Sequence, residues 1–257
     1  MSSTSAAGSG RTWRRIQLLG LPVDDLTMAE TLDVVDAFIA SGTVHQHVVV
    51  NVSKVVQASR DPEFRRLVAA CDLINVDGQP IVWASRLLGS PLRERVTGVD
   101  LMEQLFARAS ERGYRLYLLG ARPEVVAAVA ARVARDHPGA IVAGYHDGYW
   151  APEDEPAVAE QIRKARPDLL FVAISSPTKE RFLARWKGVI EAPFVMGVGG
   201  SFDVYAGGVR RAPTAMRRVG LEWLYRVYQE PGRLWRRYAG DAPRFAWLVV
   251  RARLQRR

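Results

Sequence analysis

The chain has 257 residues, of which 48% are hydrophobic and 25% are charged, and its formal net charge is +9. This composition argues against intrinsic disorder and suffices for one full hydrophobic core, with or without an appendage. The sequence contains no uninterrupted apolar run of 18 residues, which argues against a membrane-spanning helix. The single cysteine, Cys71, lies in an apolar context and is predicted to be a buried, inert thiol.

The positive charge is concentrated near the C-terminal end. Residues 210–257 contain thirteen arginines, no lysine and three acids, so this segment carries +10 and the rest of the chain carries −1. The asymmetry predicts a boundary near residue 209. We therefore divide the chain into a flexible N-terminal tail (1–15), a core (16–209) and a basic, aromatic-rich C-terminal appendage (210–257).

Strand-like and helix-like segments alternate along the core. A weakly alternating segment at 16–21 leads into a predicted turn at 22–25. The predicted strands that follow are 48–50, 73–76, 114–119, 140–145, 169–174 and 194–198. The predicted helices start after Thr27, cover 53–58 and 62–70, start again at Pro80, and cover 99–112, 123–135, 157–165 and 179–187. Since parallel strands need crossover connections that are normally helical, we predict an α/β fold with a mostly parallel sheet and helices on both faces.

The carboxyl ends of parallel strands meet at one edge of the sheet, and ligands bind in the crevice there. The predicted strand ends carry Asn51, Asp77, Gly120, the turn 146–149, the turn 175–177 and Gly199-Gly200. Asp77 is the foremost candidate for chemistry because Gly78 and Pro80 after it predict a turn into a helix, and not a hairpin. The alternative is that Asp77 and Gly78 only make a turn.

Phosphate and metal signals are weak in this sequence. The segment 197–203, Gly-Val-Gly-Gly-Ser-Phe-Asp, can expose backbone N–H groups to a diphosphate, or it is only a glycine turn. Neither the P-loop nor the dinucleotide-binding glycine pattern is present. Asp-x-Asp, paired histidines and cysteine clusters are also absent, so we predict no metal and no cofactor. The histidines are predicted to be surface or structural groups: His45, His47, His137 and His146.

In place of a metal, arginines can neutralise a diphosphate through their fixed fork of donors. Arg226, Arg233 and Arg236 are spaced by seven and three, which puts them on one face of a continuous helix, although Pro231-Gly232 predicts a break. Aromatic residues are interleaved with these arginines, a composition typical of a segment at an anionic membrane surface. A solvated helical pair packed on the core is the alternative.

Several short motifs, taken in order, resemble those of the WecG/TagA/CpsF glycosyltransferases of bacterial surface-polysaccharide assembly. The likeness runs from about Leu21 to Arg237. It rests on Asn51, Asp77-Gly78, Gly98-Val99-Asp100-Leu101, Leu118-Leu119-Gly120, Gly148-Tyr149, Gly197-Val198-Gly199-Gly200 with Phe202-Asp203, and Arg211-Ala212-Pro213. Its most specific part is Leu221-Glu222-Trp223-Leu224-Tyr225-Arg226, followed by Glu230-Pro231 and Arg233.

The resemblance implies a Rossmann-like core followed by a C-terminal appendage that completes the active site. It implies an inverting, metal-independent enzyme that moves a sugar from a UDP-sugar to a polyprenyl-diphosphate-linked sugar. The enzyme would work peripherally at the cytoplasmic face of the membrane. A homo-oligomer is compatible with these features, and no nucleic-acid partner is expected.

The resemblance also implies roles for individual residues. Asp77 stands at the position of the general base, and Arg226, Arg233 and Arg236 match the arginines that reach the diphosphate. The implied substrate-binding residues are Asn51 on the acceptor side and Tyr149 and Asp203 near the nucleoside. The strand-end residues Gly120, Gly199 and Gly200 and the helix residue Lys179 are further substrate-binding candidates.

The chain departs from the family pattern at two positions near the expected sugar. Where relatives often read Gly-x-Pro-Lys-Gln-Glu, residues 175–180 read Ser-Ser-Pro-Thr-Lys-Glu, so a neutral amide becomes the cation Lys179. The threonine that relatives often have two residues before the asparagine is replaced by Val49 in this sequence. We therefore hypothesise that Lys179 pairs with an anionic sugar or with a donor phosphate.

Two functions from other classes compete with the transferase. A nucleotide- or nucleic-acid-binding protein would use the basic appendage for phosphate contacts. A Rossmann-type oxidoreductase is disfavoured because the dinucleotide fingerprint is missing.

Overall fold

The computed structural model describes residues 12–209, 211–213, 216, 222–229 and 231–255. Most of the predicted N-terminal tail (1–15) lies outside these ranges, and Arg15, its last residue, begins the first strand. The predicted boundary between 209 and 210 falls where the described residues are interrupted, so it stays a prediction.

The strands and helices alternate in the predicted order. The strands are β1 (Arg15–Leu18), β2 (Leu21–Asp24), β3 (His45–Val50), β4 (Leu73–Val76), β5 (Arg115–Gly120), β6 (Ile141–His146), β7 (Leu169–Ala173) and β8 (Phe194–Gly197). The first helices are α1 (Met28–Ser41), α2 (Val52–Arg60), α3 (Pro62–Ala69), α4 (Gln79–Leu87) and α5 (Gly98–Arg112). The later helices are α6 (Pro123–Asp136), α7 (Glu155–Ala165), α8 (Thr178–Ile190), α9 (Ser201–Tyr205), α10 (Glu222–Gln229) and α11 (Pro231–Leu254).

Six of the strands form one parallel sheet in the order β4-β3-β8-β7-β5-β6. This confirms the predicted α/β fold with a parallel sheet. All six carboxyl ends therefore lie at the same edge, where the crevice was predicted.

The prediction for residues 16–25 was wrong. Strands β1 and β2 form an antiparallel hairpin, and the predicted turn at 22–25 is mostly strand β2. The reversal occurs earlier, at Leu19 and Gly20, whose φ angles are 52° and 83°. Pro22 argued against a strand because proline has no N–H to donate to a neighbouring strand. A two-stranded hairpin tolerates proline, since each of its strands has one side without a partner strand.

Hydrophobic clusters cover both faces of the parallel sheet. Leu169 and Phe171 of β7 pack with helices α1, α5 and α6, whereas Leu170 and Val172 pack with α7 and α8. A third cluster joins β1, β2, β3 and β4 to helices α2, α3 and α4. Side chains along a strand point alternately to the two faces, and both faces are covered here. The buried strands are therefore continuous apolar runs in the sequence.

The C-terminal appendage is attached to the core at several points. Helix α10 covers Glu222–Gln229 and α11 covers Pro231–Leu254, and residue 230 between them lies outside the described ranges, so the predicted break stays a prediction. Phe245 and Val249 of α11 are buried in the cluster that contains α2. Arg211 pairs with Asp100 of α5 at 2.6 Å. Within the described ranges, no helix is both long and apolar enough to cross a membrane.

We expect Phe245→Ala to lower the free energy of unfolding by about 3 kcal/mol, because it leaves a cavity where α11 meets the core. Chemical denaturation would measure the loss. The matched control is Trp247→Ala on the same helix. Trp247 is 54% exposed, so its replacement should lower the free energy of unfolding by less than about 0.5 kcal/mol. Equal effects of the two variants would mean that α11 is not held by its buried face.

Candidate functional site

A cleft of about 850 Å³ opens along the carboxyl edge of the parallel sheet. Residues from the ends of β3, β4, β7 and β8 line it, together with the segment after β5. The cleft brings together most of the predicted site residues, namely Asn51, Asp77, Tyr149, Lys179, Gly199, Gly200 and Asp203.

Asp77 lies on the cleft wall directly after β4, the outermost strand on one side of the parallel sheet. Its backbone N–H donates to the carbonyl of Val50 at 2.9 Å, which continues the pairing of β4 with β3 by one residue. Gly78 follows with φ of 110°, a conformation that residues with a side chain rarely adopt, and helix α4 starts at Gln79. The carboxylate is thus half-buried between a strand and a helix, as the sequence predicted.

Gly120 is not part of the cleft wall, where Ala121 and Arg122 stand instead. A Cβ on Gly120 would lie 2.6 Å from the carbonyl carbon of Ala173, and the φ angle is 109°. The glycine therefore allows β5 to approach β7 closely and directs the next residues toward the cleft. Any contribution of Gly120 to substrate binding is then indirect.

Gly199 and Gly200 lie on the cleft wall between β8 and α9. Gly199 has a φ of 52°, in the left-handed region that glycine adopts without strain. Helix α9 has only five residues, so its dipole is small, and exposed N–H groups would carry most of any attraction for a phosphate.

The predicted catalytic arginines occupy two successive helices, Arg226 in α10 and both Arg233 and Arg236 in α11. Their side chains lie outside the described part of the structure, so their contact with the cleft stays a prediction. Asp241, farther along α11, does line the cleft and accepts a short hydrogen bond from Ser53 Oγ. The appendage therefore reaches the site through at least one described residue.

Asn51 is the N-cap residue of helix α2. Its Oδ1 accepts from the N–H of Lys54 at 3.1 Å, which caps the helix. Within the described residues its amide Nδ2 has no hydrogen-bond partner, and Asn51 lines the cleft. The side chain can thus cap the helix with its oxygen and still donate to a ligand with its nitrogen.

Lys179 belongs to a buried charge cluster at the cleft. Glu180 Oε1 lies 2.7 Å from Lys54 Nζ and 3.7 Å from Lys179 Nζ, and Ser176 Oγ donates to Glu180 Oε2 at 2.8 Å. Burial alone would raise the pKa of Glu180, but the charges of Lys179 and Lys54 outweigh it and lower that pKa to about 2. Desolvation and then the charge of Lys54 lower the pKa of Lys179 to about 8.

The histidine and cysteine nearest this cluster do not add charge to it. Desolvation lowers the pKa of His47 to about 3, and its Nε2 lies 2.9 Å from Asn75 Oδ1, so it is a neutral structural group. Burial raises the pKa of the Cys71 thiol to about 12, in keeping with the predicted inert thiol. In the described ranges, no group of three or more His, Cys, Asp or Glu side chains could hold a metal ion.

The sequence did not reveal Ser53, Lys54, Asp241 or Arg122 as cleft residues. Lys54 follows a predicted strand end by three residues, and a lysine in the first turn of an amphipathic helix ordinarily faces solvent. Its partner Glu180 is 126 residues away in the chain, so no local pattern connects them.

Comparison with known proteins identifies the class of the protein. The model of the family described as "Glycosyl transferase WecG/TagA/CpsF family" matches residues 16–257. The fold, the cleft and this match define a glycosyltransferase.

Similar proteins occur in two Bacillus species. An N-acetylglucosaminyldiphosphoundecaprenol N-acetyl-beta-D-mannosaminyltransferase of Bacillus spizizenii is 37% identical over 195 residues, 76% of this chain and 74% of the relative. A protein of the same name from Bacillus subtilis is 35% identical over 202 residues, 79% of this chain and 77% of the relative. The chain belongs to the WecG/TagA/CpsF family, as the motifs in the sequence predicted.

We expect Asn51→Ala to lower the free energy of unfolding by about 1 kcal/mol, because the first turn of α2 loses its cap. Asn51→Ser should restore most of that stability, since a hydroxyl also caps well, while still lacking the amide N–H₂. Denaturant unfolding measures the first effect, and transferase activity of the serine variant measures any role of the amide in binding. If both variants lose stability equally, the capping assignment is wrong.

Proposed function

We propose that this glycosyltransferase moves a sugar from a UDP-sugar to a polyprenyl-diphosphate-linked saccharide, with inversion and without a metal ion, in bacterial extracellular polysaccharide biosynthesis. The observation that carries the proposal is the position of Asp77 on the wall of a cleft at the carboxyl edge of the sheet. The names of the two Bacillus relatives support a lipid-linked acceptor, since both describe transfer to N-acetylglucosaminyldiphosphoundecaprenol.

The proposed chemistry is a single displacement. An acceptor hydroxyl is a weak nucleophile, and a carboxylate within about 3 Å can take its proton as the oxygen attacks the anomeric carbon. Asp77 is the proposed base. A single displacement from the face opposite the leaving group inverts the anomeric configuration, so the product linkage should have the anomeric form opposite to that of the donor.

The departing UDP gains negative charge, which arginines can stabilise as a divalent cation would. Arg226, Arg233 and Arg236 are the proposed source, brought from the appendage. The described contacts of the appendage support this arrangement, because Asp241 of α11 already lines the cleft.

The two substrates would occupy opposite parts of the cleft. Tyr149 and Asp203 are proposed to hold the nucleoside, with Gly199 and Gly200 near the diphosphate. Asn51 is proposed to bind on the acceptor side, next to Asp77. The strand order supports this division for Tyr149, which follows β6 on one side of the sheet, whereas Asp77 and Asn51 follow β4 and β3 on the other side and Gly199, Gly200 and Asp203 follow β8 between them.

We propose that the enzyme binds its lipid-linked acceptor at the cytoplasmic surface of the membrane, and that the C-terminal appendage faces the membrane. Helix α11 exposes Trp235 and Trp247 at 65% and 54%, and Arg251 lies over the Trp247 ring at 5.3 Å. Amphipathic rings and cations side by side suit the head-group region of an anionic bilayer. Homo-oligomer formation stays a prediction.

The test combines the purified protein with a lipid-linked N-acetylglucosamine diphosphate, a panel of UDP-sugars and excess EDTA. We expect transfer from one UDP-sugar despite the chelator, with an inverted linkage in the nuclear magnetic resonance spectrum of the product. Stabilisation by oligonucleotides and not by UDP in a thermal-shift screen would instead favour the nucleic-acid-binding alternative.

We expect Asp77→Asn to lower kcat by about 10² to 10⁴, because the amide cannot accept the hydroxyl proton, while UDP still binds. Steady-state kinetics and calorimetric titration with UDP measure the two quantities. The control is Asp33→Asn, at a side chain that is 75% exposed on α1. Turnover of the Asp77 variant within a few fold of wild type would remove Asp77 from the base role.

We expect Arg233→Gln and Arg236→Gln each to lower kcat/KM at least tenfold, since each removes a cation that would stabilise the leaving diphosphate. A short-chain, water-soluble acceptor makes the assay independent of membrane binding. Arg251→Gln is the control on the same helix and should weaken only flotation with anionic vesicles. Normal kcat/KM in the first two variants would contradict a site shared with the appendage.

A further inference from the structure

Among the described residues that line the cleft or contact its lining, two buried cations share one buried carboxylate, that of Glu180. Glu180 already has a close ion pair with Lys54 at 2.7 Å and a hydrogen bond from Ser176 at 2.8 Å. Lys179 approaches the same oxygen only to 3.7 Å. Lys54, Lys179 and Glu180 together therefore carry a net charge of +1 when both lysines are protonated.

This arrangement is costly for a purely structural cluster. Lys179 is 5% exposed and Glu180 is 2% exposed, so the surplus ammonium has little contact with water. A buried cation that shares its counter-charge with a second cation destabilises the folded state, and a single lysine would have sufficed to pair Glu180. The neighbouring His47 and Cys71 are both uncharged near neutral pH and supply no counter-charge.

The surrounding backbone makes room for the second lysine. A Cβ on Gly197 would overlap the Lys179 side chain, lying 2.7 Å from Cδ and 2.9 Å from Nζ. The lysine therefore extends across the end of β8, and its ammonium group stays beside the cleft, which both Lys179 and Gly197 line.

The cluster lies at the middle of the sheet edge. Lys54 follows β3, Lys179 follows β7, and β8 runs between these two strands. Asp77 lies at one side, after β4, and Tyr149 lies toward the other side, after β6. A sugar nucleotide that runs from Tyr149 toward Asp77 crosses the middle of this edge, so its diphosphate or its sugar would lie near the two lysines.

We propose that Lys179, held in place by the Lys54 and Glu180 pair, binds an anionic oxygen group of the sugar-nucleotide donor. The anionic group is either the diphosphate or a carboxylate on the transferred sugar, and the same ammonium chemistry recognises both. The proposal rests on the proposed function and specifies the donor side of the same site.

Lys179→Gln tests the proposal, with Lys187→Gln on the same helix as the control that removes an equal charge outside the cleft. Titration calorimetry would use UDP, a neutral UDP-hexose, the corresponding UDP-uronic acid and uridine. If the lysine binds the diphosphate, the glutamine variant loses at least about tenfold in affinity for every ligand except uridine. If it binds a sugar carboxylate, only the uronic acid derivative loses affinity.

Measuring donor affinity of the wild-type protein over a range of pH gives a second test, because a purely structural ion pair would not change the dissociation constant for the donor. Lys179 loses its proton as the pH rises through about 8, so the dissociation constant for the donor should rise between pH 7 and 9. The glutamine variant should show no such rise. Lys179→Met provides a second uncharged variant if the first does not fold.

Equal affinity of wild type and the uncharged variant for all four ligands, with the same pH dependence, would overturn the proposal. That result differs from failure of the proposed function, in which the folded wild-type protein binds neither UDP nor any UDP-sugar. The control Lys187→Gln separates the local effect from a general loss of positive charge.

Discussion

The structure depends on the parallel alignment of six strands, because this alignment alone brings their carboxyl ends to one edge. Residues as distant in sequence as Asn51 and Gly200 share a cleft only because β3 and β8 are neighbours. The apolar side chains that fill both faces fix the register of each strand. A shift by one residue would exchange the two faces of β7 and turn the cleft residues away.

The first turn of helix α2 connects the sheet, the appendage and the buried charges. Asn51 caps this turn, Ser53 donates to Asp241 of α11, and Lys54 pairs with Glu180 of α8. Burial of Phe245 and Val249 against the same helix supplies the apolar part of the attachment. Helix α11 is therefore held to a helix that supplies cleft residues by one hydrogen bond and by apolar packing, and it contributes Asp241 to the cleft.

The sequence predicted the larger part of this fold because its signals are local. Apolar β-branched runs mark buried parallel strands, and Thr27 and Pro80 mark helix starts. The hairpin at 15–24 was missed because the reversal depends on Leu19 adopting a positive φ, which a leucine rarely does. The cleft position of Asp77 was predictable from its place between strand and helix. The cluster around Glu180 was not, since its ion pair with Lys54 spans 126 residues and an isolated lysine gives no sign of burial.

The two residues at which the sequence departs from the family pattern, Val49 and Lys179, both belong to the cleft. Val49 replaces a side chain that could donate a hydrogen bond, and Lys179 replaces a neutral amide with a cation, and both residues line the cleft. Loss of one hydrogen-bond donor and gain of a charge would change which ligand groups the cleft binds, while Asp77 and Asn51 stand at the positions that the family resemblance assigns to them. If Asp77 is the base, as we propose, then a base at the family's position beside altered cleft residues fits the same reaction with a different transferred group. We therefore propose that the sugar transferred by this protein differs from the mannosaminyl group in the names of the Bacillus relatives.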